Sequence, residues 1–120
     1  MCGEGGLDEV ALSGPTRVAQ LERGNLNVIE VTPADFGLPQ SPIESLKVGD
    51  VAESAAVIRA VFAGEKGPRR DAVVINAAAG LYVAGHVGSY REATSAAAEA
   101  IDTGAAQRKL EAWGQLSKGN

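Results

Sequence analysis

The stretch from Pro68 to Gly85 constrains this chain more than any other. Proline suits the first turn of a helix, where its missing N–H leaves no bond unmade, and glycine readily ends one. Between them Val73, Val74, Ile75, Ala77, Ala78, Leu81 and Tyr82 fall around most of a helical circumference. A helix apolar on nearly all sides is expected to be largely buried. It needs neighbours on several faces, and the rest of the chain has to provide them.

Helical neighbours are readable on both sides. Asp50 followed by Glu53 is a capping-box-like start. Val51, Ala55, Ile58 and Phe62 then recur at helical spacing until Gly64. Ser89 and Glu92 repeat the capping pattern and open a helix ending near Asp102. Gly104 separates it from a last amphipathic piece, Ala105 to Leu116.

Upstream the pattern changes to strands. Thr16 to Leu21 and Leu26 to Val31 flank Glu22-Arg23-Gly24-Asn25 and read as a β-hairpin. Val18 and Gln20 share one face, while Arg17, Ala19 and Leu21 share the other, so one face meets a core and the other is mixed. Residues 9–13 read as a further short strand closed by Ser13-Gly14-Pro15. Residues 32–49, with Pro33, Pro39, Pro42, Gly37 and Gly49, form an ordered connection or a boundary, which Phe36 and Leu38 could pin to the core. Residues 1–7 are too glycine-rich for much regular structure: they are either a loop that approaches a ligand closely or a frayed terminus.

Strands first and helices after give an α/β chain, of α+β type when taken as a unit. The strand part spans about residues 8–38 and the helical part about 50–117. Two or three strands are few for a sheet that must cover so apolar a helix, so the unit reads as incomplete. Its 120 residues, 45% of them apolar, suffice for one globular domain. Aromatic residues are scarce, and a core of Ala and Val is thin because each buries little area.

A net charge of −4 argues against a nucleic-acid partner, which demands a basic footprint. No apolar run approaches the roughly 18 residues of a membrane span; Ala72 to Gly85 is interrupted by Asn76 and Gly80. The start lacks the basic and apolar regions of a signal peptide, and the single cysteine, Cys2, has no internal partner. A cytoplasmic location is the default.

Few side chains suggest chemistry. Asp8 and Glu9 are adjacent carboxylates after the glycine-rich stretch. Spacing alone leaves such a pair most often as solvated surface. Neighbours on an extended strand point to opposite faces, so both could serve one metal only across a bend or bulge, or through a bridging water; otherwise they would serve two ions. Cys2 reads as a terminal thiol and His86 as a residue at the carbonyl end of a helix. Asp71 suits the positive end of the helix dipole, whereas Arg69 and Arg70 are expected to make ion pairs that fix the helix entry rather than to bind phosphate. Asn76, polar within the apolar helix, should satisfy a backbone group or a loop. No catalytic residue is assigned.

Three stretches together resemble the anthranilate phosphoribosyltransferases. The first is Gly3-Glu4-Gly5-Gly6-Leu7-Asp8-Glu9-Val10. The second is Gly14-Pro15-Thr16-Arg17-Val18, followed at the family distance by Thr32-Pro33-Ala34-Asp35-Phe36-Gly37-Leu38. The third runs from Gly64 through Pro68-Arg69-Arg70-Asp71 to Asn76-Ala77-Ala78-Ala79 and on to Gly85. The first and third favour this family over the pyrimidine nucleoside phosphorylases, which share the broad fold.

The resemblance implies the last third of a two-domain enzyme, after a small helical domain and most of a large α/β domain with a mixed sheet. It implies transfer of phosphoribosyl from phosphoribosyl pyrophosphate to anthranilate in tryptophan biosynthesis, with Mg2+ required and Asp8 and Glu9 as metal ligands. The family's diphosphate loop, its Lys-His-Gly-Asn-type segment and its anthranilate-holding residues have no counterpart here, and Cys2 stands where the family usually has histidine. The family homodimer forms through the helical domain that has no counterpart here. The isolated chain is therefore expected to be inactive; the alternative is a non-catalytic relict or partner-binding helical module.

Overall fold

The computed structural model describes residues 1–119. Among them, three antiparallel strands lie in the order β1 (Cys2–Gly3), β2 (Thr16–Glu22), β3 (Asn25–Val31). Four helices follow: α1 (Val51–Phe62), α2 (Pro68–Val83), α3 (Tyr90–Asp102) and α4 (Ala105–Lys118). Short 3-10 turns occupy Glu4–Gly6, Pro33–Phe36 and Ile43–Leu46.

The hairpin forms as the sequence suggests. Thr16 pairs with Val31 and Leu21 with Leu26, around a turn in which Arg23 and Gly24 both have positive φ, 50° and 81°. That geometry matches the natural twist of a two-strand ribbon. Thr16 and Val31 are buried at the base, whereas Leu21, Leu26 and Val28 toward the tip are 73%, 68% and 62% exposed. The ribbon thus projects from the body. The radius of gyration, 15.2 Å, exceeds the about 13.6 Å of a compact domain of this length.

Each helix starts and stops on chemistry visible in the chain. Asp50 accepts the Glu53 N–H at 2.8 Å, and Ser89 Oγ accepts the Glu92 N–H at 3.2 Å. At the end of α2, Gly85 donates to Tyr82 O and His86 donates to Leu81 O, the paired bonds of a Schellman closure. The same pair of bonds, Gly64 to Val61 and Glu65 to Ala60, closes α1.

Helix α2 stands between two apolar clusters. Ile75 and Ala78 join Val10, Leu12, Val31, Phe36 and Ala93. Val74 joins Val61, Ala97 and Ile101. Phe36 pins the proline-rich connection, its ring centroid 4.6 Å from that of Tyr90.

Three expectations need correction. Residues 9–13 are not a strand, because the Val10 and Ala11 amides donate to side chains instead of to a neighbouring strand. Residues 1–7 are not frayed: Cys2 and Gly3 pair with Arg17 and Thr16, and a 3-10 turn follows. Helix α2 is not buried all round. Val73, Ala77, Gly80 and Ala84 form one exposed side, because α3 and the N-terminal loop cover only the others. In α1, likewise, Val51 and Ile58 are exposed while Val57 and Val61 turn inward.

Candidate functional site

The Asp8–Glu9 pair sits on a short bent segment whose two sides are fixed differently. Before it, Gly3 donates to Leu7 O at 2.8 Å and Glu4 donates to Pro15 O at 3.1 Å, folding the first residues back on themselves. A side chain at Gly3 would not fit, since a Cβ there would lie 2.7 Å from the Glu9 carbonyl oxygen. At Gly14 a Cβ would collide with the Glu4 carboxylate.

After the pair, the chain dives into the core. Val10, Ala11 and Leu12 are 4%, 1% and 1% exposed. Buried backbone without a strand partner must find other bonds. The Val10 N–H donates to Asn76 Oδ1 at 2.9 Å, and Asn76 Nδ2 donates back to Val10 O at 3.2 Å. Asn76 Nδ2 also donates to Ala72 O, 3.0 Å away in its own helix. The Ala11 N–H donates to Thr16 Oγ1 at 2.9 Å, and Ser41 N–H donates to Leu12 O at 2.9 Å. Gln40 Nε2 donates to Ser13 O.

Asp8 and Glu9 themselves are exposed, at a bend rather than along a strand. Among the described residues, neither carboxylate takes part in an ion pair or a side-chain hydrogen bond. Their oxygens are free to meet a cation. Magnesium takes oxygen ligands, typically one or two carboxylates with waters and substrate phosphates completing the shell. Two free carboxylates on an anchored bend fit that chemistry. Among the described residues no group of three or more His, Cys, Asp or Glu is gathered that could hold a metal ion.

The other candidates lie elsewhere. Arg70, 6% exposed, grips Asp102 with two hydrogen bonds, 2.9 and 3.0 Å, tying the start of α2 to the end of α3. Those hydrogen bonds hold the Asp102 carboxyl below its ordinary value, while burial raises that of Asp71 against the pull of Arg70 and Lys66. Arg69 donates to the Ser45 and Lys47 carbonyls, fastening the preceding connection. Arg70 makes the expected ion pair with Asp102, and Arg69 lies 3.9 Å from the Glu53 carboxylate. His86 is exposed, with its backbone used in the α2 closure, and Cys2 is an exposed free thiol in β1. Thr16 and Asp102 gave no signal in the sequence: the first sat within a strand, the second at a helix end far from Arg70.

Residues 1–107 match the model of the glycosyl transferase family, a/b domain, and the chain belongs to that family. Within it, the similar proteins are anthranilate phosphoribosyltransferases. Those of Rhodopseudomonas palustris strain BisA53 and Parvibaculum lavamentivorans are each 47% identical over 108 residues, 90% of this chain. The chain spans about a third, 32%, of the length of these curated relatives. The crystal structure of the Thermus thermophilus enzyme superposes with a TM-score of 0.83 at 40% identity, over 92% of this chain and 32% of that one. The Saccharomyces cerevisiae enzyme in complex with PRPP and Mg matches with a TM-score of 0.82 at 27% identity, covering 92% of this chain and 32% of that one. The small α/β arrangement is therefore a part of that larger fold. No described helix is long and apolar enough to cross a membrane.

Proposed function

We propose that this chain is the C-terminal portion of the catalytic domain of an anthranilate phosphoribosyltransferase, and that Asp8 and Glu9 are its magnesium ligands. The reaction is transfer of phosphoribosyl from phosphoribosyl pyrophosphate to anthranilate with release of pyrophosphate, a step of tryptophan biosynthesis in the cytoplasm. The observation that carries the reading is the pair of unengaged carboxylates on an anchored bend, within a chain whose relatives are these enzymes. The bend at residues 8–9 supports both carboxylates serving one ion, which an extended strand would oppose.

Magnesium held there would neutralise the charge growing on the departing pyrophosphate. Asp8 and Glu9 supply oxygen ligands, and the buried segment from Val10 to Leu12 keeps them in place. The family's phosphate- and anthranilate-binding segments lie in the other two-thirds of the relatives, so this chain alone should not turn over. The 32% coverage supports that view.

A chimera tests the reading. Residues 3–113 replace the corresponding segment of the Rhodopseudomonas palustris BisA53 enzyme, and loss of anthranilate fluorescence is followed with phosphoribosyl pyrophosphate present. A folded chimera with magnesium-dependent transfer is expected. A folded but inactive chimera, or robust transfer by the 120-residue chain alone, would contradict the assignment.

A second reading, a partner-binding module without catalysis, draws on the exposed Leu21, Leu26 and Val28. It predicts that the folded chimera is inactive.

A further inference from the structure

The segment that follows the carboxylate pair has no strand partner, so its position depends on individual side chains. Asn76 is central among them. It lies 66 residues from Val10 in sequence, on the helix that bridges both apolar clusters. Its amide offers one acceptor and one donor to the two backbone groups of a single residue, as an adjacent strand would. Aspartate has only acceptors when ionised, and glutamine carries the same groups one methylene farther out. Val10 is the immediate neighbour of Glu9, so any shift in its backbone moves the carboxylates. Thr16, fully buried, accepts the next amide N–H, that of Ala11, at 2.9 Å.

We propose that Asn76 is a positioning residue for the metal pair: through the Val10 backbone it fixes where the Asp8 and Glu9 carboxylates stand, and so sets the affinity for a divalent cation. The inference rests on the magnesium-ligand reading of Asp8 and Glu9. Partners hydrogen-bonded directly to a metal ligand typically contribute about 10–100-fold to metal affinity, and Asn76, which acts one residue away through the backbone, is expected at the low end of that range. A merely structural asparagine would affect stability and leave cation affinity alone.

The 120-residue chain, labelled with nitrogen-15, is titrated with Mn2+ alone, an oxygen-seeking ion of octahedral preference like Mg2+. Line broadening at the Asp8, Glu9 and Val10 amides is followed in wild type, Asn76→Ala, Asn76→Gln and Val74→Ala. Hydrogen exchange at the Val10 amide is measured in parallel. Val74 packs in the other cluster, with Val61, Ala97 and Ile101, and serves as a destabilised control that makes no bond to Val10. Wild type should broaden selectively at residues 8–10. Asn76→Ala should raise the half-broadening Mn2+ concentration about tenfold and speed Val10 exchange, with Asn76→Gln in between and Val74→Ala at the wild-type midpoint. If Asn76→Ala fails to fold, Asn76→Gln carries the test with the same direction of shift. A wild-type midpoint in the folded Asn76 variants, or an equal shift in Val74→Ala, overturns the proposal while leaving the metal pair standing. Absence of selective broadening in wild type sinks the metal reading itself, and this inference with it.

Discussion

The carboxamide of Asn76 and the backbone of Val10 exchange two hydrogen bonds, accepting at 2.9 Å and donating at 3.2 Å. Val10 is 4% exposed, so water has little access to replace either bond. An unsatisfied buried backbone group costs about 1–3 kcal/mol. Asn76→Ala should therefore lower unfolding stability by about 2–4 kcal/mol, allowing for partial relaxation. Urea denaturation with an unchanged slope measures it; a loss below about 0.5 kcal/mol, the range of ordinary surface changes, would show that the clamp is dispensable.

Gly3→Ala probes the other side of the bend. The added methyl would meet the Glu9 carbonyl oxygen at 2.7 Å and also approach Ala11 and Leu7. Overpacking of this kind costs roughly 1–3 kcal/mol. A lowered melting temperature is expected, together with shifted amide resonances at residues 7–11. An unperturbed spectrum would mean that the loop yields easily.

The link between Arg70 and Asp102 should show itself in acid. The folded Asp102 carboxyl lies below its ordinary value of 3.8, chiefly through its hydrogen bonds to Arg70. Its contribution is therefore complete above pH 3.8 and disappears as pH falls through the depressed folded value. The stability difference between wild type and Asp102→Asn should be constant near neutrality and shrink below pH 3.8. Asp71 runs the other way. Burial raises its folded value, so its charged form opposes folding at neutral pH and the opposition is relieved on acidification toward 3.8. Thermal melts of Asp102→Asn and Asp71→Asn from neutral pH into acid separate the two; an Asp102→Asn difference that stays flat into acid would contradict the pairing.

The ribbon tip predicts self-association of the isolated chain. Leu21 and Leu26 are cross-strand partners, and with Val28 they leave an apolar surface in solvent. Such patches promote association. Sedimentation equilibrium should show concentration-dependent oligomers. The double variant Leu21→Thr, Leu26→Thr should shift toward monomer, with stability changed by no more than about 0.5 kcal/mol. A wild-type monomer at all concentrations would refute the prediction.

What could be read from the sequence was what is encoded locally. The hairpin turn, the Asp50 and Ser89 caps and the glycine stops each depend on residues a few positions apart, and all four helices appear where those signals put them. The misreadings were about partners. Residues 9–13 carry an apolar run that resembles a strand, but Asn76 and Thr16 take the amides that a strand would have paired. Helix α2 is apolar nearly all round, yet circumference reveals what a helix could bury and not what lies beside it; Val83 is 84% exposed. The oddity of Asn76 was visible, whereas its target 66 residues away was not. For Asp8 and Glu9, spacing carried almost no information, and the metal-ligand expectation rested on the resemblance of the surrounding Gly3–Val10 motif.

The most direct test of the account is the magnesium dependence of phosphoribosyl transfer in the chimera bearing residues 3–113, compared with its Asp8→Asn and Glu9→Gln forms. Each variant removes one carboxylate charge while keeping the side-chain shape. Both variants are expected to fold and to require at least about tenfold more magnesium for half-maximal rate, by analogy with the loss of groups that merely orient ligands. Two folded, active variants with the magnesium requirement of the parent chimera would contradict the metal-ligand assignment.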